Sequence, residues 1–141
     1  GYAVPIGTSG LELRSRSYAG WTQAGGSLRA RDLAGFSFEA EIGLSYPVVR
    51  TRKGSVWASL DLTLRDSELD EAGARIRNDR LATATLSLYA SSRLGGGQLR
   101  TRLSLVQGVE ALGATGAGDP LASRRDADGS FTKLAFWSQY V

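Results

Sequence analysis

The stretch SVWASLDLTLR, residues 55–65, alternates strictly between apolar and polar side chains. The apolar set is Val56, Ala58, Leu60, Leu62 and Leu64, and the polar set is Ser55, Trp57, Ser59, Asp61, Thr63 and Arg65. Successive side chains of a strand point to opposite faces, so this alternation over about ten residues predicts a β-strand with one apolar and one wet face. A helix would scatter the leucines around its circumference.

The same period of two recurs along the chain, and about seven strands are expected in all. The remaining segments are Tyr2–Ile6, Leu11–Trp21, Phe36–Tyr46, Ala82–Ser91, Leu99–Glu110 and a last strand over Lys133–Tyr140. Only Ser67–Ala74 looks helical, and it is too short and too interrupted by glycine to stand as a helix. The prediction is an all-β, antiparallel up-and-down meander.

The connections between these strands are predicted to alternate in length. Short ones are Gly7–Gly10, Pro47–Gly54 and Gly95–Gln98, and long ones are Thr22–Ala34, Asp66–Asp79 and Ala111–Ser130. Consecutive antiparallel strands place alternate connections at opposite ends of a sheet, so all short turns would share one rim. Short turns at one rim and long loops at the other are typical of outer-membrane β-barrels.

Composition excludes several classes of function. The chain of 141 residues has no histidine and no cysteine, which removes the commonest general base, the commonest metal ligand and any disulfide. No apolar run approaches the roughly 18 residues of a membrane helix. The net charge is +3, but carboxylates interrupt the arginines, so a nucleic-acid partner is not expected. No enzymatic activity and no cofactor are expected.

The wet faces carry the charged residues that a barrel would direct into its lumen. Nine of them are predicted to line the pore: Arg14, Arg16, Glu39, Glu41, Asp61, Arg65, Arg100, Arg102 and Lys133. On the lipid face a basic side chain would cost about 2–4 kcal/mol at the midplane, and the apolar sets carry no charge. An aromatic girdle is predicted from Trp21, Tyr46, Trp57 and Tyr140, whereas Tyr89 and Trp137 would face inward.

Two groups of carboxylates have alternative interpretations. Glu39 and Glu41 lie about 7 Å apart on one face and could serve acid–base chemistry, but they fit better as partners of lumen arginines. Asp66, Glu68, Asp70 and Glu71 could attract calcium, but they lack the spacing of a dedicated site, and a solvated loop is the expectation.

Three stretches in order resemble the barrel of two-partner secretion transporters, the haemolysin secretion/activation family. The first is Gly43–Arg52, similar to that family's "tyrosine–proline–apolar–apolar–arginine–small–arginine" periplasmic turn. The second is Leu62–Ser67 with Arg77–Leu81, similar to a strand, a loop and a returning "aspartate–arginine–leucine" strand. The third, Gly118–Arg124 with Asp128–Leu134, is similar to a long loop before a "phenylalanine–threonine–lysine–leucine" strand.

The resemblance implies a transporter of the Gram-negative outer membrane that exports one large partner protein, an adhesin or a cytolysin, without ATP. It implies periplasmic POTRA domains and further barrel strands, neither of which is present in residues 1–141. The chain is therefore expected to be a partial barrel segment, in contact with outer-membrane lipid and the remaining strands of its parent. The family's inward-folded loop and the strand residues that clasp it would also lie later, so none of its best-supported functional residues maps here.

The expected function is translocation of a secreted partner across the bacterial outer membrane, with this segment as part of the pore wall. One alternative is a related barrel that inserts or assembles outer-membrane proteins. A second alternative is a soluble all-β binding or adhesion module, whose apolar face would be hidden against a second sheet.

Overall fold

Seven strands form one antiparallel sheet in the order of the sequence, β1-β2-β3-β4-β5-β6-β7. The computed structural model describes residues 1–123 and 129–141. The strands are β1 (Tyr2–Ile6), β2 (Leu11–Gln23), β3 (Leu33–Arg50), β4 (Gly54–Glu71), β5 (Ala74–Leu94), β6 (Gly97–Val109) and β7 (Thr132–Tyr140). The predicted all-β meander is confirmed, and the sheet is open, with β1 and β7 at its two edges.

Strand register carries the two-faced pattern across the whole sheet. One row of directly opposed residues is entirely apolar and contains Val4, Leu13, Leu44, Leu60, Leu86, Leu105 and Leu134. The adjacent row, one residue along each strand, belongs to the other face and contains mainly polar residues. Because a slip of one residue would exchange the two faces, this pattern strongly specifies the register.

No second layer packs against the apolar face in the described residues. Ile42, Leu62 and Leu86 each keep about half of their surface exposed, at 51%, 53% and 52%. The soluble-module alternative required this face to be sealed against another sheet, and that sheet is absent from residues 1–123 and 129–141. A contiguous apolar face of this size marks a membrane or protein interaction surface.

Within the described part of the chain, no helix combines the length and the apolarity needed to cross a bilayer.

The prediction of a long loop over Asp66–Asp79 is wrong. Strand β4 continues to Glu71, β5 begins at Ala74, and the turn between them consists of Ala72 and Gly73. Both turn residues have positive φ, 49° and 79°, as a two-residue type I′ hairpin requires. The strict alternation of short and long connections therefore fails at this point.

Ion pairs connect the two strands of this extended hairpin. Arg75 Nη2 lies 2.7 Å from Glu68 Oε2 and its Nε lies 3.1 Å from Asp70 Oδ1, while Arg80 Nη2 lies 2.6 Å from Asp66 Oδ2. Cross-strand pairs of opposite charge stabilise a sheet without an apolar face. The density of charge that suggested a loop is thus compatible with strands that continue past the apolar band.

The other connections follow the predictions more closely. Turns at 7–10, 51–53 and 95–96 share one end of the sheet. At the opposite end, the predicted loop at 22–34 is shorter than expected and contains a 3-10 helix, Gly26–Arg31. The third predicted loop separates β6 from β7, and its residues 124–128, which include Arg124 and Asp128 of the family resemblance, lie outside the described residues.

The long loop covers the free edge of β5. Pairing with β6 begins only at Ala82, so the projecting part of β5 has no strand on that side. Loop residues take its place: Asn78 N donates to Leu121 O at 2.8 Å, and Thr115 N donates to Arg80 O at 2.7 Å. Arg80 N in turn donates to Thr115 Oγ1 at 2.7 Å. Covering an exposed edge in this way protects it from pairing with other chains.

Candidate functional site: the polar face of the sheet

All nine predicted pore-lining residues lie on one face of the sheet, here called the polar face. Opposed pairs such as Arg16 with Glu41 and Glu39 with Arg65 place β2, β3 and β4 in common register. The parity of the remaining strands places Arg100 and Arg102 of β6 and Lys133 of β7 on the same side. The alternation of period two in the sequence therefore predicts correctly that these side chains share one face.

An ion pair spans three strands at the centre of the polar face. Arg14 on β2 donates from Nη2 to Asp61 Oδ1 on β4 at 2.9 Å, passing over β3 at Gly43. A Cβ atom at Gly43 would lie 2.1 Å from Asp61 Oδ1, so only glycine leaves room for this contact. Ser59 Oγ donates to the other carboxylate oxygen at 3.0 Å, which further orients Asp61.

A second cluster of charges lies next to this pair. Arg16 Nη2 lies 2.9 Å from Glu41 Oε2 and 3.6 Å from Glu39 Oε1. Arg65 Nε donates to Glu39 Oε2 at 3.1 Å. Two arginines and two glutamates therefore alternate across β2, β3 and β4. This agrees with the interpretation of Glu39 and Glu41 as partners of arginines, and each exposed pair adds little stability because water screens it.

The basic residues of β6 and β7 are arranged differently. Arg100 donates from Nη2 to the amide oxygen of Gln98 at 2.6 Å, and the Arg102 guanidinium lies 5.6 Å from the centre of the Tyr89 ring. No carboxylate of the described residues forms an ion pair with Arg100, Arg102 or Lys133. Among the residues that the structure describes, the positive charges on this side of the polar face therefore have no carboxylate in contact.

Trp57, one of the four residues predicted to form an aromatic girdle, lies on the polar face, as its place in the polar set of residues 55–65 predicts. Trp57 lies opposite Tyr89, Tyr89 opposite Arg102, and Arg102 opposite Trp137, so these side chains form one row on the polar face. Trp21 and Phe36 do meet on the apolar face, with ring centres 5.3 Å apart.

The carboxylates considered for calcium are engaged with arginines. Asp66, Glu68 and Asp70 pair within the hairpin, and Glu71 Oε1 accepts from Arg31 Nε at 2.7 Å. This hydrogen bond and the positive charge of Arg31 lower the pKa of Glu71 below its usual value. The contact joins the 3-10 helix to the tip of the hairpin, so both elements of this rim are tied together.

The arrangement as a whole forms a wet surface of fixed charges, hydroxyl groups and aromatic rings. In residues 1–123 and 129–141, its hydrogen-bonding groups are spread over strands β2 to β7. Such a face can contact water and other polar groups along its length, because donors and acceptors recur across the sheet.

Comparison with known protein families gives one match that covers the chain. The family model of the haemolysin secretion/activation protein ShlB/FhaC/HecB matches residues 1–141. No curated individual protein and no solved structure matches the chain. Since the match extends over all 141 residues, the chain belongs to this family of two-partner secretion transporters.

Proposed function

We propose that this member of the haemolysin secretion/activation family forms part of the wall of an outer-membrane pore through which a secreted partner protein passes. The observation that carries the proposal is the sheet with two unlike faces, one apolar and open, the other wet and charged. The family match supports secretion in preference to the alternative of a barrel that inserts or assembles membrane proteins.

The apolar face fits the thickness of a membrane. On β4, alternate residues from Val56 to Leu64 are apolar and uncharged, and the next residue on that face is Asp66. This span is close to the roughly 9–11 residues that a tilted transmembrane strand needs. The exposure of these side chains, which would be unfavourable in water, becomes favourable against lipid.

The polar face would line an aqueous lumen. Its central charges are paired, as in Arg14 with Asp61, so they do not depend on partners outside the sheet. Longer loops lie on the extracellular side of outer-membrane barrels. The rim with the projecting β4–β5 hairpin and the 110–131 connection would accordingly face the cell exterior.

The seven strands would be one arc of a larger barrel. Closing as few as eight strands leaves an interior that side chains fill, so a protein-conducting channel needs more strands than these. We therefore assign residues 1–141 to a segment whose edges, β1 and β7, pair with further strands of the full-length transporter.

The proposal is tested by labelling residues 55–65 of the full-length transporter, one at a time, with a nitroxide in lipid vesicles. Contact with a lipid-soluble quencher should peak at Val56, Ala58, Leu60, Leu62 and Leu64, and contact with a water-soluble quencher at the positions between. A face sealed from both quenchers would contradict the membrane assignment. Loss of secretion of the partner when the transporter is deleted would support the transport role, and undiminished secretion would contradict it.

A further inference from the structure

A row of four serines crosses the polar face. Ser45 on β3 lies opposite Ser59 on β4, Ser59 opposite Ser87 on β5, and Ser87 opposite Ser104 on β6. The Ser87 and Ser104 hydroxyls are 2.9 Å apart and share a hydrogen bond. Serine side chains are short, so the sheet surface is low along this row. Each serine was visible in the sequence, but only the register aligns them.

Larger side chains border the serine row. Toward the short-turn rim lies the row of Trp57, Tyr89, Arg102 and Trp137. Toward the other rim, Arg14 and Asp61 border the row at β2 and β4, Gly43 leaves a gap at β3, and the smaller Thr85 and Val106 lie beside Ser87 and Ser104. Between these borders is a concavity of about 230 Å³ that three of the serines, Ser45, Ser59 and Ser87, line at its base. The four serines and their two borders are called the serine trough.

The width of the serine trough determines whether a helix or an extended polypeptide chain can lie in it. Rows on the same face of a sheet are about 7 Å apart, so the two borders are centred about 14 Å from each other. The bulk of the bordering side chains reduces this opening further. A helix with its side chains is about 10–12 Å across, whereas a single extended chain is narrower. The trough therefore fits one extended chain better than a helix.

The chemistry of the serine trough suits a polypeptide of variable sequence. Ser45 and Ser87 are buried, with 7% and 9% of their surface exposed, whereas Ser59 and Ser104 are partly exposed. The Ser59 hydroxyl donates to Asp61 and the Ser104 hydroxyl shares a hydrogen bond with Ser87, but both oxygens can still accept from the backbone N–H groups that every peptide segment presents. Arg102 has no carboxylate partner among the described residues, and so its guanidinium is available to a carbonyl or an acidic side chain. Trp57, Tyr89 and Trp137 add flat apolar surface that contacts many kinds of side chain.

We propose that the serine trough holds a segment of the secreted partner in extended form while it crosses the pore. This inference rests on the proposed function and adds the place and the conformation of the passing chain. The chain would run across β3 to β6, obliquely to the pore axis, because barrel strands tilt by about 35–45°. Hydroxyl groups and Arg102 would hydrogen-bond its backbone, with acidic residues favoured beside Arg102.

Photocrosslinking can locate the passing chain, since the sequence contains no cysteine and each introduced thiol is unique within it. Ser59→Cys and Ser104→Cys of the full-length transporter, both at partly exposed positions, are labelled with benzophenone maleimide. The probe is a protein that the transporter secretes, fused at its C-terminus to a disulfide-closed domain that stalls it in transit. Matched controls are Ser37→Cys, on the polar face outside the trough, and Ser17→Cys, on the apolar face.

Crosslinks about tenfold stronger at Ser59→Cys and Ser104→Cys than at Ser37→Cys and Ser17→Cys, equivalent to a preference of 1.4 kcal/mol, would support the inference. Equal crosslinks at Ser37→Cys would overturn it, because the chain would then cross the polar face without preference. Absence of crosslinks from a stalled chain would also overturn it. Neither result would touch the proposed function, which fails only if the unmodified transporter exports no partner.

A second test fills the serine trough with a bulky side chain and measures secretion of the partner. Ser87→Phe should reduce secretion about tenfold, while Ser37→Phe should leave it unchanged. The amount of heat-modifiable protein in the membrane shows whether each variant has folded, and only folded variants are compared. Unchanged secretion by folded Ser87→Phe would contradict the inference.

Discussion

Gly43 shows how one residue without a side chain determines the contacts at the centre of the polar face. It is buried between β2 and β4, and the carboxylate of Asp61 occupies the space that a Cβ atom would need. The Arg14–Asp61 pair can form across three strands because β3 carries no side chain there. In the sequence Gly43 is one polar-face residue among several, and nothing nearby distinguishes its role.

Gly43→Ala should lower the free energy of unfolding by about 1–3 kcal/mol, since the added methyl group displaces Asp61 in a tightly packed place. Urea unfolding of the full-length protein in detergent micelles, followed by tryptophan fluorescence, measures this change. Gly25→Ala is the matched control, because a Cβ atom there meets nothing within 4 Å. Equal effects of the two substitutions would contradict the assigned role of Gly43.

Among the elements, the β4–β5 hairpin departs most from what the sequence suggested. Apolar and polar residues alternate along a strand when only one of its faces is shielded from water. The alternation disappears where both faces of the strand are in contact with water. The hairpin beyond Leu64 is stabilised by pairs such as Asp66 with Arg80, and its free edge is covered by the long loop. The many charged residues of this segment therefore led to the prediction of a loop. The segment is instead a regular hairpin whose stability comes from strand pairing.

The contact between the long loop and β5 can be measured by amide exchange. Thr115→Val removes the oxygen that accepts from Arg80 N, and a lost hydrogen bond of about 1 kcal/mol should speed exchange at Arg80 roughly fivefold. Mass spectrometry of peptides that contain Arg80 gives the rate. Thr101→Val, on the apolar face of β6, serves as the control. An unchanged rate at Arg80 would show that the loop does not protect this edge.

The link between the 3-10 helix and the hairpin should depend on pH. Because Arg31 lowers the pKa of Glu71, the contact stabilises the folded rim above the usual carboxyl pKa of 4.5 and is lost as the pH falls through the lower, folded value. A nitroxide at Ser27 should become more mobile over that acidic range. In Glu71→Gln it should be mobile already at neutral pH and insensitive to acid, and a pH response identical to the parent would refute the link.

At the scale of the whole molecule, no second layer covers the sheet in the described residues, so the medium on each face determines whether the sheet is stable. Leucines fill a continuous row from β2 to β7 on one face, while the other face is wet. No second layer covers either face within the described residues, and among their hydrophobic residues only Ala82 is buried. Stability must then come from strand pairing and from the medium in contact with each face. In the proposed barrel, these media are lipid at the apolar face and lumen water at the polar face.

Adjacent substitutions on β4 distinguish the two faces. Leu62→Arg should cost about 2–4 kcal/mol at the bilayer midplane, whereas Thr63→Arg, on the polar face, should cost much less. Folding of the full-length transporter into lipid vesicles at increasing urea concentrations measures both. Similar losses for the two variants would contradict a lipid border on the apolar face.

Local alternation in the sequence was sufficient to predict the strand number, the antiparallel meander and the face of all nine charged residues, because period two follows from strand geometry alone. Register, the aromatic row and the serine trough depend on hydrogen bonds between strands. The contact between Arg14 and Asp61, for example, joins residues 47 positions apart. Such alignments are set by which strands pair and where their bulges lie, and only the tertiary structure decides them.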